Sequence, residues 1–269
     1  MLANKSCILQ QLSQTVKWPL LTSFARKLCN RNFSHCIGEN ANTGGKYKIS
    51  KRTTCIAMDE SGLAYIDTDK NGNALKLLKD WMEEFKIFGK YSALVFNLAT
   101  ADRHGNVSNR NVVLRDIKDD YMVFATNNSS KKAQQIKDNP KVSACFLWSY
   151  VKDEKHINRQ VRLEGSATAM SHEESLKYYE EEPLYCKIRS YICQQDKVVN
   201  WDNLKVEHDK LLKEVKENDK ELPMPPCYAA YRIIPTSFDF YFAWDNNIAD
   251  RVVFVKQSGN EWEFHHVAA

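Results

Sequence analysis

The stretch Arg110–Lys132 reads Arg-Asn-Val-Val-Leu-Arg-Asp-Ile-Lys-Asp-Asp-Tyr-Met-Val-Phe-Ala-Thr-Asn-Asn-Ser-Ser-Lys-Lys. Its first half has the alternating pattern of a strand, with Arg110 at its head and Arg115 further along. A second strand, Tyr121 to Thr126, runs into the polar turn Asn127-Asn128-Ser129-Ser130, followed by Lys131 and Lys132. Hydroxyls, turn N–H groups and cations at the start of a helix make an anion site, because the first amides are unpaired and the helix dipole is positive there. The lysine pair alone reads more readily as the solvated tip of a hairpin. Arg110 on the neighbouring strand adds a guanidinium suited to phosphate and brings the two readings level.

Outward from this stretch, the pattern predicts an ordered series of short elements. Ala74, Leu78, Trp81 and Phe85 recur at helical spacing, with Asn73 as N-cap and Gly89 as stop. Strands are expected over Ala93–Ala101, Val107–Asp116, Tyr121–Thr126, Lys141–Tyr150 and Arg159–Ala169, with a short helix at Ser130–Asp138. The charged stretch Val151–Asn158 reads as a loop outside the core. Ser171-His172-Glu173-Glu174 opens a helix as a capping box. Helical patterns continue through Leu176–Glu181, Leu184–Gln194 and Leu204–Val215. His208 on the last of these is a packed or partly exposed histidine rather than a ligand. Strands close the chain at Cys227–Ile234, Ser237–Ala243, Arg251–Val255 and Trp262–His266. Strands on either side of a helical insert, with short antiparallel connections, predict a mainly β fold, a closed barrel with flanking helices.

The remaining chain bounds the function. Residues 1–38 hold no Asp or Glu but carry Lys5, Lys17, Arg26, Lys27 and Arg31, the composition of a mitochondrial targeting leader, or of a basic leader without an address on a cytoplasmic protein. Residues 39–72 read as a linker or N-terminal arm, and 73–269 as the folded domain. A net charge of +4 argues against a general nucleic-acid binder, and no apolar run is long enough for a membrane span. The eight cysteines form no Cys-x-x-Cys pair and read as reduced thiols in an intracellular protein. No hydrolase elbow, Walker loop, Rossmann fingerprint or metal-ligand spacing is present.

The central stretch also resembles the flavin mononucleotide (FMN) site of the pyridoxine/pyridoxamine 5′-phosphate oxidases. The family's Arg-x-x-x-Leu-Lys strand, Phe-Tyr-Thr-Asn strand end and Ser-Arg-Lys-x-x-x-Ile helix start correspond here to Arg110–Arg115, Phe124–Asn127 and Ser130–Ile136. The resemblance runs from about Ala74 to the C-terminus. It implies an antiparallel Greek-key split barrel, dimeric, with FMN in a groove shared by two subunits. The cofactor-binding residues it implies are Arg110, Asn111, Val112, Val113, Leu114, Arg115, Ala125, Thr126, Lys131, Lys132, Gln160, Gln195, Tyr241 and Arg251. Arg110, Lys131 and Lys132 would come from one subunit, Gln195 and Arg251 from the other.

On the substrate side the resemblance implies a phosphorylated B6 vitamer, oxidised at C4′ with O2 as acceptor and held by Arg115 and Tyr178. Here the chain departs from the family. Glu182 stands where the family has an arginine, Cys186 where it has a serine, and Asp196 where a serine follows the glutamine. The family's Arg-Leu-His reads Asn247-Ile248-Ala249. A diverged FMN-binding paralogue with little oxidase activity, or an FMN enzyme with a less anionic substrate, is the alternative reading.

Overall fold

Six of the eight strands among the described residues close into a barrel, and the last two extend its sheet beyond the closure. The computed structural model of the protein describes residues 62–68, 72–258 and 261–269. The leader and most of the 39–72 arm lie outside the described residues. The strands are β1 (Val95–Ala101), β2 (Val107–Ile117), β3 (Met122–Asn127), β4 (Lys141–Lys152), β5 (Lys155–Ala169), β6 (Tyr228–Trp244), β7 (Asp250–Lys256) and β8 (Trp262–His266). They pair in the order β3-β2-β1-β4-β5-β6-β7-β8, and β3 also pairs with β6, which closes the barrel. Every strand-to-strand pairing is antiparallel. Inside sit Phe96, Leu98, Leu114, Phe124, Phe146, Val161, Phe238 and Phe240, each no more than 2% exposed. Each large apolar side chain so buried contributes roughly 1.5–3 kcal/mol.

Strand β6 is the seam of the fold. Its first half pairs with β3 through Ile233, and its second half pairs with β7 from Ser237, while β5 borders it from Tyr231 to Trp244. The pattern around Pro235 predicts two strands, yet the chain runs through as one. Proline has no N–H to donate, and Pro235 lies where the β3 ladder has ended and the β7 ladder has not begun. A register shift opposite it, at Glu164/Gly165, takes up the extra residue. A Cβ on Gly165 would lie 2.3 Å from the Ile234 carbonyl oxygen, so this close approach requires glycine.

A second expectation is corrected at Val151–Asn158. This stretch is no loop: β4 and β5 stay paired as far as Lys152 and Lys155. Only Asp153 and Glu154 form the turn, with φ of 49° and 64°, the two positive values of a type I′ hairpin. That turn usually announces itself by Asn-Gly or Asp-Gly, and here an acidic pair fills it.

Helix α1 (Ala74–Phe88) begins at Asn73, whose side chain accepts from the Leu75 and Lys76 amides. Its apolar face closes one part of the barrel, with Trp81 edge-on to Phe240 and Phe85 against Trp148. Residues 62–68 also belong to the folded body. Leu63 bridges Ile248, the Ile66 N–H donates to Asp250, and Ala64, Ile66 and Thr68 are buried. The four other helices among the described residues are α2 (Lys131–Asp138), α3 (His172–Glu180), α4 (Leu184–Ile192) and α5 (Trp201–Glu217). The expected capping box at Ser171 and Glu174 is formed. His208 on α5 is partly exposed and contacts Asp209, in keeping with its reading as a partly exposed histidine.

Candidate functional site

A cavity of about 700 Å³ opens where β2, β3 and the start of α2 meet α4 and the segments around Gln195 and Tyr228. Of the residues that the resemblance implies for the cofactor, Arg110, Asn111, Val112, Val113, Arg115, Ala125, Thr126, Lys131, Lys132 and Gln195 line it. Leu114 does not: it is 2% exposed and belongs to the barrel core. Strand alternation would send Arg110 and Arg115 to opposite faces, because they are an odd number of residues apart. A register shift between Leu114 and Asp116 breaks the alternation at Arg115, so both guanidinium groups reach one cavity.

At one end the partners are neutral. Arg110 donates to the Leu98 carbonyl at 3.1 Å, to Thr100 Oγ1 at 2.8 Å and to Ser108 Oγ at 2.8 Å. Gln135 accepts from both hydroxyls, at 2.6 and 2.7 Å, and so fixes this frame. Lys132, only 6% exposed, donates from Nζ to Thr126 Oγ1 at 3.0 Å. Ser130 caps α2 through its side chain, which accepts from the Ala133 amide. Burial lowers the pKa of the Arg110 guanidinium, against the pull of Asp196. Burial also lowers that of Lys132, helped by Arg110 and Arg189. Two cations thus held together, half out of water and on neutral partners, are relieved by an arriving dianion. The residues here therefore fit the phosphate of a flavin mononucleotide. Asp196 offsets part of this charge. Its carboxylate accepts the Lys131 N–H at 3.1 Å, at the first turn of α2.

The other end is built differently. Arg115 Nη2 donates to both oxygens of Glu182, at 2.6 and 2.7 Å, and the Tyr228 hydroxyl donates to the same carboxylate at 3.1 Å. The Glu182 side chain is 3% exposed and that of Arg115 25%. Lys187 and Arg189 are the cations nearer to Glu182 in sequence, yet the fold brings it Arg115. Burial raises the pKa of the Tyr228 hydroxyl, and Glu182 raises it further. Tyr228 stands just past a proline pair and carries no motif, so no local signal marked it for the site. Arg189, also on the cavity wall, was not expected there either. Its guanidinium contacts Cys186 Sγ at 3.6 Å.

Tyr178, expected on the substrate, does not line the cavity. It is 3% exposed, and its hydroxyl donates to Asp116 Oδ2 at 3.2 Å. Gln160, Tyr241 and Arg251 are absent from the cavity wall too, yet the fold brings them together. Gln160 faces Tyr241 across β5 and β6, and Tyr241 faces Arg251 across β6 and β7, so the three form one row on the sheet. Arg251 is tied to Asp239, with contacts of 2.6 to 3.2 Å. Gln195 lines the cavity of its own chain together with Arg110 and Lys132, whereas Arg251 does not line it.

Comparison with known proteins agrees with this fold. A family model described as pyridoxamine 5′-phosphate oxidase matches residues 82–204. A protein of Crocosphaera subtropica named pyridoxine/pyridoxamine 5′-phosphate oxidase is 31% identical over 202 residues, covering 74% of this chain and 91% of the relative. One of the same name from Pelagibacter ubique is 30% identical over 194 residues, covering 70% and 88%. Among solved structures, PhzG from Burkholderia lata 383, in complex with tetrahydrophenazine-1-carboxylic acid, superposes with a TM-score of 0.66 at 21% identity, over 78% of this chain and all of that one. A pyridoxamine 5′-phosphate oxidase-related, FMN-binding protein from Nostoc punctiforme PCC 73102 superposes with a TM-score of 0.54 at 15% identity, over 77% and 100%. Both likenesses are of fold. With its split barrel, its paired cations at the start of α2 and relatives that match across most of their length, this chain belongs to the pyridoxine/pyridoxamine 5′-phosphate oxidase family.

Proposed function

We propose that this protein is an FMN-dependent oxidase that converts a B6-type alcohol or amine to the aldehyde at C4′, with O2 as electron acceptor. The observation that carries the reading is the cation pair Arg110 and Lys132, seated on hydroxyls and lacking a carboxylate hydrogen-bond partner among the described residues. FMN, when bound there, would supply the two-electron redox chemistry, accepting the hydride equivalent from C4′, with O2 as the final acceptor and hydrogen peroxide as its product. The chain's own residues do the positioning. Arg110, Lys132 and the first turn of α2 hold the phosphate, and Thr126 orients the lysine. The alcohol loses its hydroxyl proton along with the hydride. The amine gives an imine, which water splits to aldehyde and ammonia.

Two further expectations are part of this proposal. A homodimer would bring the Gln160–Tyr241–Arg251 row of one chain to the cavity of another. It is supported by the exposed Val95, Val107, Val113 and Leu147 on neighbouring strands β1, β2 and β4. The acid-free basic leader supports a mitochondrial destination. No helix among the described residues is long and apolar enough to cross a membrane.

A second reading, a flavin-binding paralogue with little oxidase activity, is favoured by one observation. Asn247 and Ala249 bring no charged group to the β6–β7 turn, and that turn is bound to residues 62–68. The test is a visible absorption spectrum of the purified protein with FMN, followed by peroxide release on pyridoxine and pyridoxamine and on their 5′-phosphates. Flavin with peroxide on any of these donors supports the oxidase. Flavin without peroxide supports the paralogue, and no flavin uptake sinks both.

A further inference from the structure

The cavity holds Arg110 and Arg115 in opposite electrical states, and this bears on what can enter beside the flavin. Among the described residues, Arg110 has only neutral hydrogen-bond partners. Arg115 is neutralised at contact distance by Glu182, a carboxylate 3% exposed that is also held by Tyr228. A phosphate ester arriving at Arg115 would have to displace Glu182. The freed carboxylate has nowhere to go, because it is buried and its only other hydrogen bond among the described residues comes from the Tyr228 hydroxyl. It would be left beside a dianion in a place poorly reached by water, where like charges repel most. A hydroxymethyl group makes no such demand, and an ammonium group would be welcomed by the carboxylate.

Taking the flavin reading of the preceding section as its basis, we propose that the Arg115–Glu182 pair makes this cavity select a donor without a phosphate ester: pyridoxine or pyridoxamine themselves, in preference to their 5′-phosphates. Glu182 is thus the specificity-determining residue. The Arg110 end keeps its anion site for the cofactor, and the Arg115 end has lost the charge that a substrate phosphate would need. Arg189 is the competing place for such a phosphate. It lines the same cavity, and its hydrogen bond there is to a thiol and not to a carboxylate.

The test is calorimetric titration of the full-length, FMN-loaded protein with pyridoxine and with pyridoxine 5′-phosphate, neither of which forms a Schiff base with lysine. The unmodified protein is expected to bind pyridoxine at least as tightly as the ester. Glu182→Gln keeps the size and one hydrogen bond but removes the charge. It is expected to tighten the ester tenfold or more while pyridoxine stays within threefold. Three results would overturn the proposal: the unmodified protein binds the ester tenfold better, the folded Glu182→Gln protein keeps the original ratio, or neither ligand binds. If the ester is preferred and Arg189→Met abolishes that preference, the phosphate sits on Arg189 and the Arg115–Glu182 pair is bystander structure. Should Glu182→Gln not fold, the ratio in the unmodified protein decides alone. Failure to take up FMN would sink the flavin reading, and the same titration without FMN would still decide this one.

Discussion

Strand β2 presents two arginines to one cavity, and their surroundings set what each can do. Arg110 sits among hydroxyls and a carbonyl, which satisfy its N–H groups without cancelling its charge. Arg115 faces a buried carboxylate that cancels it. Net charge along a strand therefore says little about ligand binding. The decisive fact is whether the fold brings a neutral acceptor or an anion to each guanidinium. The first arrangement leaves strain between Arg110 and Lys132 that a ligand relieves, and the second spends the charge on the protein's own structure.

The largest effect should come from breaking the second arrangement. Arg115→Met leaves Glu182 buried with Tyr228 alone. We expect a loss of about 2–4 kcal/mol in unfolding free energy, somewhat below that of a fully dry pair because Arg115 is a quarter exposed. Arg115→Met combined with Glu182→Leu should recover most of it, since an apolar pair replaces an ion pair with little penalty. Denaturant unfolding of the single and double variants measures this. Equal losses in both would mean that the pair matters by packing and not by charge.

Next in size is Arg110→Ala. Losing a charge-assisted phosphate contact costs about 1.5–3 kcal/mol, roughly a tenfold to hundredfold weaker FMN dissociation constant. Fluorescence quenching of FMN on titration reads it directly. An unchanged constant would reduce the cation pair to a solvated basic face.

Asp196→Ser sharpens the comparison from the other side. The carboxylate now shares the first turn of α2 with any incoming phosphate. Removing it should tighten FMN by about 1 kcal/mol, some fivefold. Weaker binding in this variant would show instead that Asp196 organises the site by capping α2.

The smallest effect concerns pH. Lys132 in the ligand-free protein has a lowered pKa, from burial first and from Arg110 and Arg189 after it. Losing its proton removes a charge that the phosphate uses, so FMN affinity should fall as pH rises, starting below the ordinary lysine range. Lys132→Met should bind more weakly at neutral pH and show a flatter alkaline limb. A limb unchanged by this substitution would assign the titration to another group.

Local rules made much of this protein legible. Helical spacing at Ala74, Leu78, Trp81 and Phe85, the Asn73 cap and the Ser171–Glu174 capping box depend on residues within a few positions of one another, and all appear as read. The anion end of the cavity was legible for the same reason. Arg110, Thr126, Lys131 and Lys132 sit on one hairpin and the helix that follows it, so chain proximity already places them together. At Pro235 and at Asp153–Glu154 local rules misled. A ladder handover made a proline harmless in one case, and an acidic pair took up the turn in the other.

Tertiary structure alone decided the rest. A bulge on β2 turned Arg115 into the cavity, and closure of β3 onto β6 carried Tyr228 beside α4, where Glu182 waits. Tyr178 looked like a ligand contact but was drawn to Asp116. These outcomes join residues 46 to 67 positions apart. Their energies depend on burial, which exists only once the barrel is closed. The sequence by itself determined most of the elements and the cluster of cations at the start of α2. The fold decided which of the two arginines remains free to meet a ligand.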